Sequence, residues 1–181
     1  VSYFESENLI HIANSNGINS SYKSNHCGGY AQIICEDQNE MEEGFAVDAS
    51  LKWKNFDPKQ IGEEAAILAI SLFGGKLIKS GSMPVILDSS VASEFLQIIS
   101  HVLSAEEIQK GKSNFAQKKG KTVANESISI IDDGLLEGGL QSVPFDDEGV
   151  PSKTNYLIKD GVLNNYFYNT YSALKDKTSS T

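Results

Sequence analysis

Cysteine is scarce in this sequence, and a long apolar run is missing altogether. Only two cysteines, Cys27 and Cys35, occur in 181 residues, too few for the disulfide framework of a small secreted domain. No apolar run approaches the roughly 20 residues that span a bilayer. The opening residues, Val1 to Glu5, offer neither the basic nor the hydrophobic region of a signal peptide. We therefore expect a cytoplasmic protein with no membrane partner.

Basic residues are also fewer than acidic residues. Fifteen Lys and Arg residues stand against twenty-four Asp and Glu residues, which gives a formal net charge of −9 at pH 7. A charge of this sign repels a phosphate backbone at long range, so nucleic acid is not an expected direct ligand. Apolar residues make up 40% of the chain, enough for one large domain or two small ones.

Motifs for nucleotide binding and serine hydrolysis are missing too. The sequence contains no phosphate-cradling GxxxxGK[ST] loop, no GxGxxG turn and no GxSxG elbow. Four residues are of types that bind zinc, but their spacing matches neither paired C-x-x-C nor a helical histidine pair. They are His11, His26, Cys27 and Cys35. We interpret them as ordinary strand and core residues and assign them no function.

The first part of the chain has the pattern of a small antiparallel sheet followed by a helix. Strand signals lie at 9–14, 30–35 and 44–47, with turn-forming residues between them. Asp57 and Pro58 then form a helix start, and Gly74-Gly75 is suited to the end of the helix. We place a domain boundary near Lys76, which gives domains at 1–76 and 77–181.

The second part reads as the beginning of a β-rich α+β domain. The sequence predicts a buried strand at 84–87 and a helix from Ser90 with two adjacent apolar stripes, which favour burial on most sides. A polar, lysine-rich loop follows at 110–121. Alternation at 127–132 and a hairpin across Asp160-Gly161 indicate further strands. The fold class is therefore α+β, a mostly antiparallel sheet with a packed helix followed by this second domain.

An acidic cluster, Asp146-Asp147-Glu148, is a candidate contact loop. Closely held carboxylates can share acid–base work or bind a hard cation. The flanking Pro144, Gly149 and Pro151 are typical of a solvated surface turn. We favour the turn, and it remains a candidate contact surface.

Three segments resemble the TldD/PmbA family of zinc metallopeptidases. They are Met83-Pro84-Val85-Ile86-Leu87-Asp88, the long acidic segment from Ser142 to Pro151, and the hairpin region from Leu157 to Ala173. The similarity extends through most of the chain. The chain also begins at Val1 rather than Met and stops at Thr181 soon after a patterned stretch. We therefore expect a fragment that covers the family's central domain and the start of its C-terminal domain.

The resemblance implies a specific change on the helix after Asp88. In the catalytic half of the family this helix carries an H-E-x-x-x-H motif, whose histidines bind zinc and whose Glu acts as base. Here Ser93 and Ile98 stand at the two histidine positions, and only Glu94 matches. The resemblance therefore implies a degenerate metal-site helix, no zinc in this chain and no catalytic residue of its own.

These observations favour a non-catalytic, PmbA/TldE-like subunit in proteolysis or peptide maturation. The resemblance implies a TldD-like, zinc-bearing partner and a peptide or unfolded-protein substrate, with this chain inactive alone. An alternative is an acidic interaction or regulatory protein, in line with the family's older description as a modulator of DNA gyrase. A third hypothesis makes the chain an independent hydrolase through Glu94 and the acidic cluster.

Overall fold

The fold is described from a computed structural model that covers residues 1–181. The chain divides into two units, Val1–Ser82 and Met83–Thr181. Residues 75–88 have no regular secondary structure, and the domain limits 1–76 and 77–181 stay a prediction. None of the helices has the length and apolar character needed to cross a membrane.

The first unit is built on a three-stranded antiparallel sheet. Its strands are β1 (Ser2–Ala13), β2 (Asn19–Asp37) and β3 (Glu40–Ser50). They pair in the order β1-β2-β3, so the 19-residue β2 is central. The predicted small antiparallel sheet is confirmed, although each strand extends well beyond its predicted core because hairpin pairing continues into polar residues.

Helix α1 (Pro58–Ser71) packs on one face of this sheet. Asp57 caps it, because its carboxylate accepts hydrogen bonds from the backbone N–H groups of Lys59 and Gln60 at 2.9 and 3.3 Å. The helix buries small and branched residues against the strands, and β3 meets it at Gly44, where a Cβ would collide with the carbonyl oxygen of Ala65. The predicted helix and its start are confirmed.

The second unit combines three helices and three strands with long connections. Its elements are α2 (Ser89–Val102), α3 (Ala105–Gln109), β4 (Ile130–Asp133), β5 (Thr154–Lys159), β6 (Val162–Leu163) and α4 (Thr170–Asp176). The strands form an antiparallel sheet in the order β4-β5-β6. At the hairpin turn Asp160 and Gly161 have φ values of 50° and 75°, which a two-residue hairpin loop requires. The predicted hairpin is confirmed, and so is the α+β class.

The core of the second unit lies between this sheet, the end of α2 and α4. Leu103, Leu157 and Leu163 are almost completely buried there, together with two tyrosine rings. Tyr166 donates a hydrogen bond to the carbonyl oxygen of Phe115 at 2.8 Å, and Tyr168 donates to Asp176 at 3.0 Å. Both polar groups are therefore satisfied inside an apolar environment.

Two expectations for the start of the second unit were wrong. The segment 84–87 is not a buried strand, since it forms no ladder and Ile86 is 98% exposed. Helix α2 exists with the predicted start, but none of its residues is buried. Periodicity indicates which residues share a face, while burial requires a neighbouring element. The chain supplies such a neighbour only near Ile99, which packs on the core of the second unit.

Candidate functional site

The candidate site is the N-terminal half of α2. Asp88 caps the helix through a 2.9 Å hydrogen bond from the N–H of Ser90, and this bond lowers the pKa of the Asp88 carboxyl. Ser93, Glu94 and Ile98 follow on the helix, and all three are exposed. The Ser93 hydroxyl donates to the carbonyl oxygen of Ser90 at 2.6 Å, so it is used by the helix itself.

The donor set on α2 does not fit zinc. Its two side chains of ligating type are Glu94 and His101, seven residues apart on the helix. At 1.5 Å rise per residue they are separated by roughly 10 Å along the axis, whereas zinc ligands lie about 2 Å from the metal. Nowhere in the structure do three or more His, Cys, Asp or Glu side chains group as a metal site would require.

The residues of the first unit that could bind zinc by type lie on the strands of its sheet. His11 on β1 shares a 2.7 Å hydrogen bond with Asn19 across the hairpin. Cys27 and Cys35 lie on the same strand, β2, and both thiols are free. Cys27 is buried and donates to the carbonyl oxygen of Ser50 at 3.4 Å. The hydrogen bonds of His11 and Cys27 lie within the sheet, and the interpretation of these residues as ordinary strand and core residues stays a prediction.

The acidic cluster lies in a tight turn, and its three carboxylates have different surroundings. Asp146 accepts hydrogen bonds from the N–H groups of Glu148 and Val150 at 2.9 and 2.8 Å, which closes the turn. Glu148 accepts from both the N–H and the hydroxyl of Thr170 at 2.8 and 2.9 Å. Asp147 is exposed and bonds to nothing in the chain. Asp147 is therefore the one carboxylate of the three without a hydrogen bond in the chain, and the role of the loop as a contact surface stays a prediction.

The anchoring of α4 next to this loop was not predicted from the sequence. Asn169 and Ser172 form a reciprocal capping box, in which each side chain accepts from the other residue's backbone N–H. The pattern Asn169-Thr170-Tyr171-Ser172 is a variant of the S/T-x-x-E signal and could have been found in the sequence. The bond from Thr170 to Glu148 could not, because the two residues are 22 positions apart.

Each of the two units matches a domain of the PmbA/TldA metallopeptidases. The family model for their central domain matches residues 1–73, and the model for their C-terminal domain matches residues 80–181. The chain therefore belongs to the PmbA/TldD metallopeptidase family.

Individual relatives agree with the family models. The Metalloprotease PmbA homolog of Buchnera aphidicola subsp. Acyrthosiphon pisum is 30% identical over 184 residues, which cover 99% of this chain and 41% of that protein. The Metalloprotease TldD homolog of the same organism is 33% identical over 153 residues, which cover 78% of this chain and 32% of that protein. Their names connect the family with proteolysis.

A solved structure has the same fold over nearly the whole chain. It is a protein from Thermotoga maritima described as a candidate modulator of a DNA gyrase, with a TM-score of 0.92 and 31% identity. The match covers 99% of this chain and 42% of that one. The chain thus spans about two fifths of the length of the relatives it matches.

Proposed function

We propose that this chain is part of a non-catalytic, PmbA/TldE-like subunit of a cytosolic TldD/PmbA-type metallopeptidase that acts in proteolysis or peptide maturation. The observation that carries the proposal is the donor set of α2, whose side chains of ligating type, Glu94 and His101, are seven residues apart. The resemblance assigns Ser93 and Ile98 to the family's histidine positions. The isolated Glu94 has no second ligand within reach of the same ion. Zinc and the reacting water then belong to a different subunit.

A TldD-like protein is the proposed zinc-bearing partner. One Buchnera strain contains both a PmbA homologue and a TldD homologue, each similar to this chain over most of its length. Two related proteins in one organism are expected to divide roles, and a subunit without zinc ligands needs a partner that has them. The proposed substrate of the pair is a peptide or an unfolded protein.

The cysteines support a reducing compartment such as the cytosol. Cys27 and Cys35 are eight residues apart on one extended strand, a separation of about 26 Å at 3.3 Å per residue. A disulfide requires Cα atoms within about 7 Å, so these two thiols cannot be bridged within the chain.

The test uses the protein that carries this sequence at its full length, a TldD-like protein from the same organism, and their mixture. Hydrolysis of an unfolded peptide is expected only where the TldD-like protein is present, with a gain on mixing. Metal analysis is expected to find zinc only in the TldD-like protein. Glu94→Gln should leave the activity of the mixture unchanged, while removal of the partner's zinc should abolish it. Stoichiometric zinc on the PmbA-like protein alone would overturn the proposal.

A second candidate function is that of an acidic regulatory protein that binds gyrase. The net charge of −9 and the description of the Thermotoga maritima relative favour it. Its test is a gyrase supercoiling assay with and without the protein. A stoichiometric change in supercoiling rate without any peptidase activity in the mixture would favour this function over the first.

A further inference from the structure

The segment Lys110–Lys121, here called the lysine loop, differs in charge from the rest of the molecule. It contains five lysines and no acidic residue, in a chain with a net charge of −9. The loop is fixed to the core rather than free in solvent. Ser113 is buried and donates to the carbonyl oxygen of Val102, and Tyr166 donates to that of Phe115. The backbone that carries the lysines is therefore held in a defined position by its hydrogen bonds to the core.

Three of the five lysines form no side-chain hydrogen bond or ion pair, and they are Lys112, Lys118 and Lys121. Lys110 forms an ion pair with Glu106 at 2.6 Å, and Lys119 donates to Asn165 at 3.1 Å. Lys118 and Lys121, in contrast, are exposed and have no carboxylate within ion-pair distance. Each offers an unpaired cation to an external group.

The backbone beside Lys121 forms an unpaired sheet edge. Lys121 accepts a hydrogen bond from Leu163, and Val123 donates to Gly161, so the residues on both sides of Thr122 pair with the β5–β6 hairpin. Thr122 faces Val162 in an antiparallel bridge. In this register the N–H and carbonyl groups of Thr122 point away from β6, and neither bonds to any other group in the chain.

The cations and the free edge line the same depression. It has a volume of about 600 Å³ and is bordered by Lys118, Lys121 and Thr122, with Phe115 and Val123 contributing apolar surface. An extended chain laid along Thr122 would meet backbone partners at the edge, and Lys118 and Lys121 border the same depression. Backbone bonding provides affinity for an added strand, and side-chain neighbours provide selectivity.

We propose that the groove at Thr122 binds an extended acidic peptide segment by strand addition, with Lys118 and Lys121 contacting its carboxylates. A peptide fits better than nucleic acid, because nucleic acid would bring many phosphates against a chain of net charge −9, whereas a short peptide contacts the lysine loop alone. This binding is a property of the chain by itself. It is measured without a peptidase partner, so its failure and the failure of the proposed function are distinguishable.

The test measures fluorescence anisotropy of a short labelled peptide of alternating Glu and Val residues added to the full-length protein that carries this sequence. Binding is expected to weaken as salt is raised. A peptide with Gln in place of Glu, and an acidic peptide with N-methylated backbone amides, should both bind more weakly. Labelled single-stranded oligothymidine tests whether the same protein binds nucleic acid.

Two pairs of variants separate the contributions of charge and backbone. Lys118→Gln/Lys121→Gln should weaken acidic-peptide binding about fivefold, as the loss of two exposed ion pairs implies. Lys52→Gln/Lys54→Gln removes the same charge from the other unit and should change binding less than about twofold. Thr122→Pro removes the free N–H and fixes φ at about −65°, and it should also weaken binding about fivefold. Thr122→Val keeps the N–H and should not weaken binding.

Circular dichroism of each variant confirms that it is folded. Equal affinity for the Glu and Gln peptides, or equal binding by the Lys118→Gln/Lys121→Gln variant and the original chain, would overturn the proposal. So would tighter binding of oligothymidine than of the acidic peptide, or no measurable binding of the peptide at all.

Discussion

At the scale of single residues, the first unit depends on the absence of a side chain at Gly44. The helix α1 lies so close to β3 that a Cβ at this position would overlap the carbonyl oxygen of Ala65 and the N–H of Ala69. The buried helix positions nearby are also small, with Ala65 and Ala69 fully covered. Close packing of this kind leaves no space for an added methyl group without a backbone shift.

Gly44→Ala is therefore expected to destabilise the first unit by about 1–3 kcal/mol. Urea unfolding followed by the fluorescence of the single tryptophan, Trp53, reports on this unit. Gly62→Ala is the matched control, because Gly62 lies within α1 and an added Cβ meets nothing within 4 Å. It should stabilise the unit by about 0.5–1 kcal/mol through helix propensity. Equal effects of the two variants would contradict the packing argument.

Tyr168 gives the second unit a dependence on alkaline pH. Burial, and then the hydrogen bond to Asp176, raise the pKa of Tyr168 to about 12. An unfolded tyrosine has a pKa of about 10, so the native state holds the proton more tightly. The resulting stability is fully present below about pH 10 and is lost as the pH rises toward 12.

A difference titration of tyrosinate absorbance between the original chain and Tyr168→Phe tests this expectation. The difference should titrate near pH 12 for the native protein and near about 10 in denaturant. The variant should also lose less stability over this pH window than the original chain. If the difference for the native protein titrates at the same pH as in denaturant, burial and the hydrogen bond do not raise the pKa of Tyr168.

At the scale of elements, local signals in the sequence predicted where helices and turns begin, while burial depended on partners elsewhere. Asp57-Pro58 and Asp160-Gly161 act through their own backbone conformations, so the start of α1 and the hairpin were predictable. The strand expected at 84–87 and the burial expected for α2 require neighbours that no local pattern specifies. The same limit applies to Glu148, whose bond to Thr170 spans distant parts of the sequence.

The exposed face of α2 leads to a prediction about stability and surface. Phe95 and Ile98 are 50% and 61% exposed, so Phe95→Gln/Ile98→Gln should change the free energy of unfolding by less than about 0.5 kcal/mol. The variant should also bind less of a hydrophobic dye. Ile99→Gln provides the contrast, because Ile99 packs on the core of the second unit, and about 1–3 kcal/mol should be lost. A large loss in the first variant would mean that this face is covered.

Glu148 and Asp147 give a prediction about the anchoring of α4. Glu148 accepts the first N–H of this short helix, while the neighbouring Asp147 side chain forms no hydrogen bond or ion pair. Glu148→Ala should lower stability by about 1 kcal/mol and speed hydrogen exchange at the start of α4. Asp147→Ala should do neither. If both variants behave alike, the carboxylate of Glu148 does not hold the helix.

At the scale of the whole molecule, negative charge and exposed apolar surface act against each other. The chain has a sequence pI near 4.8 and a net charge of −9 at pH 7. Many large apolar side chains are exposed, on α2, in the segment 77–87 and on the sheet face of Tyr30 and Phe45. Apolar patches of this kind promote association, and like charge keeps the molecules apart.

Self-association is therefore expected to increase as the pH falls from 7 toward the pI, because protonation of carboxylates removes the repulsion. Added salt at pH 7 should also increase self-association, because it screens the repulsion between the negatively charged molecules. Static light scattering measures both trends. The Phe95→Gln/Ile98→Gln variant retains the charge and loses part of the apolar face, so it should associate less at every pH. If it scatters as strongly as the original chain near the pI, the face of α2 is not the surface through which the molecules associate.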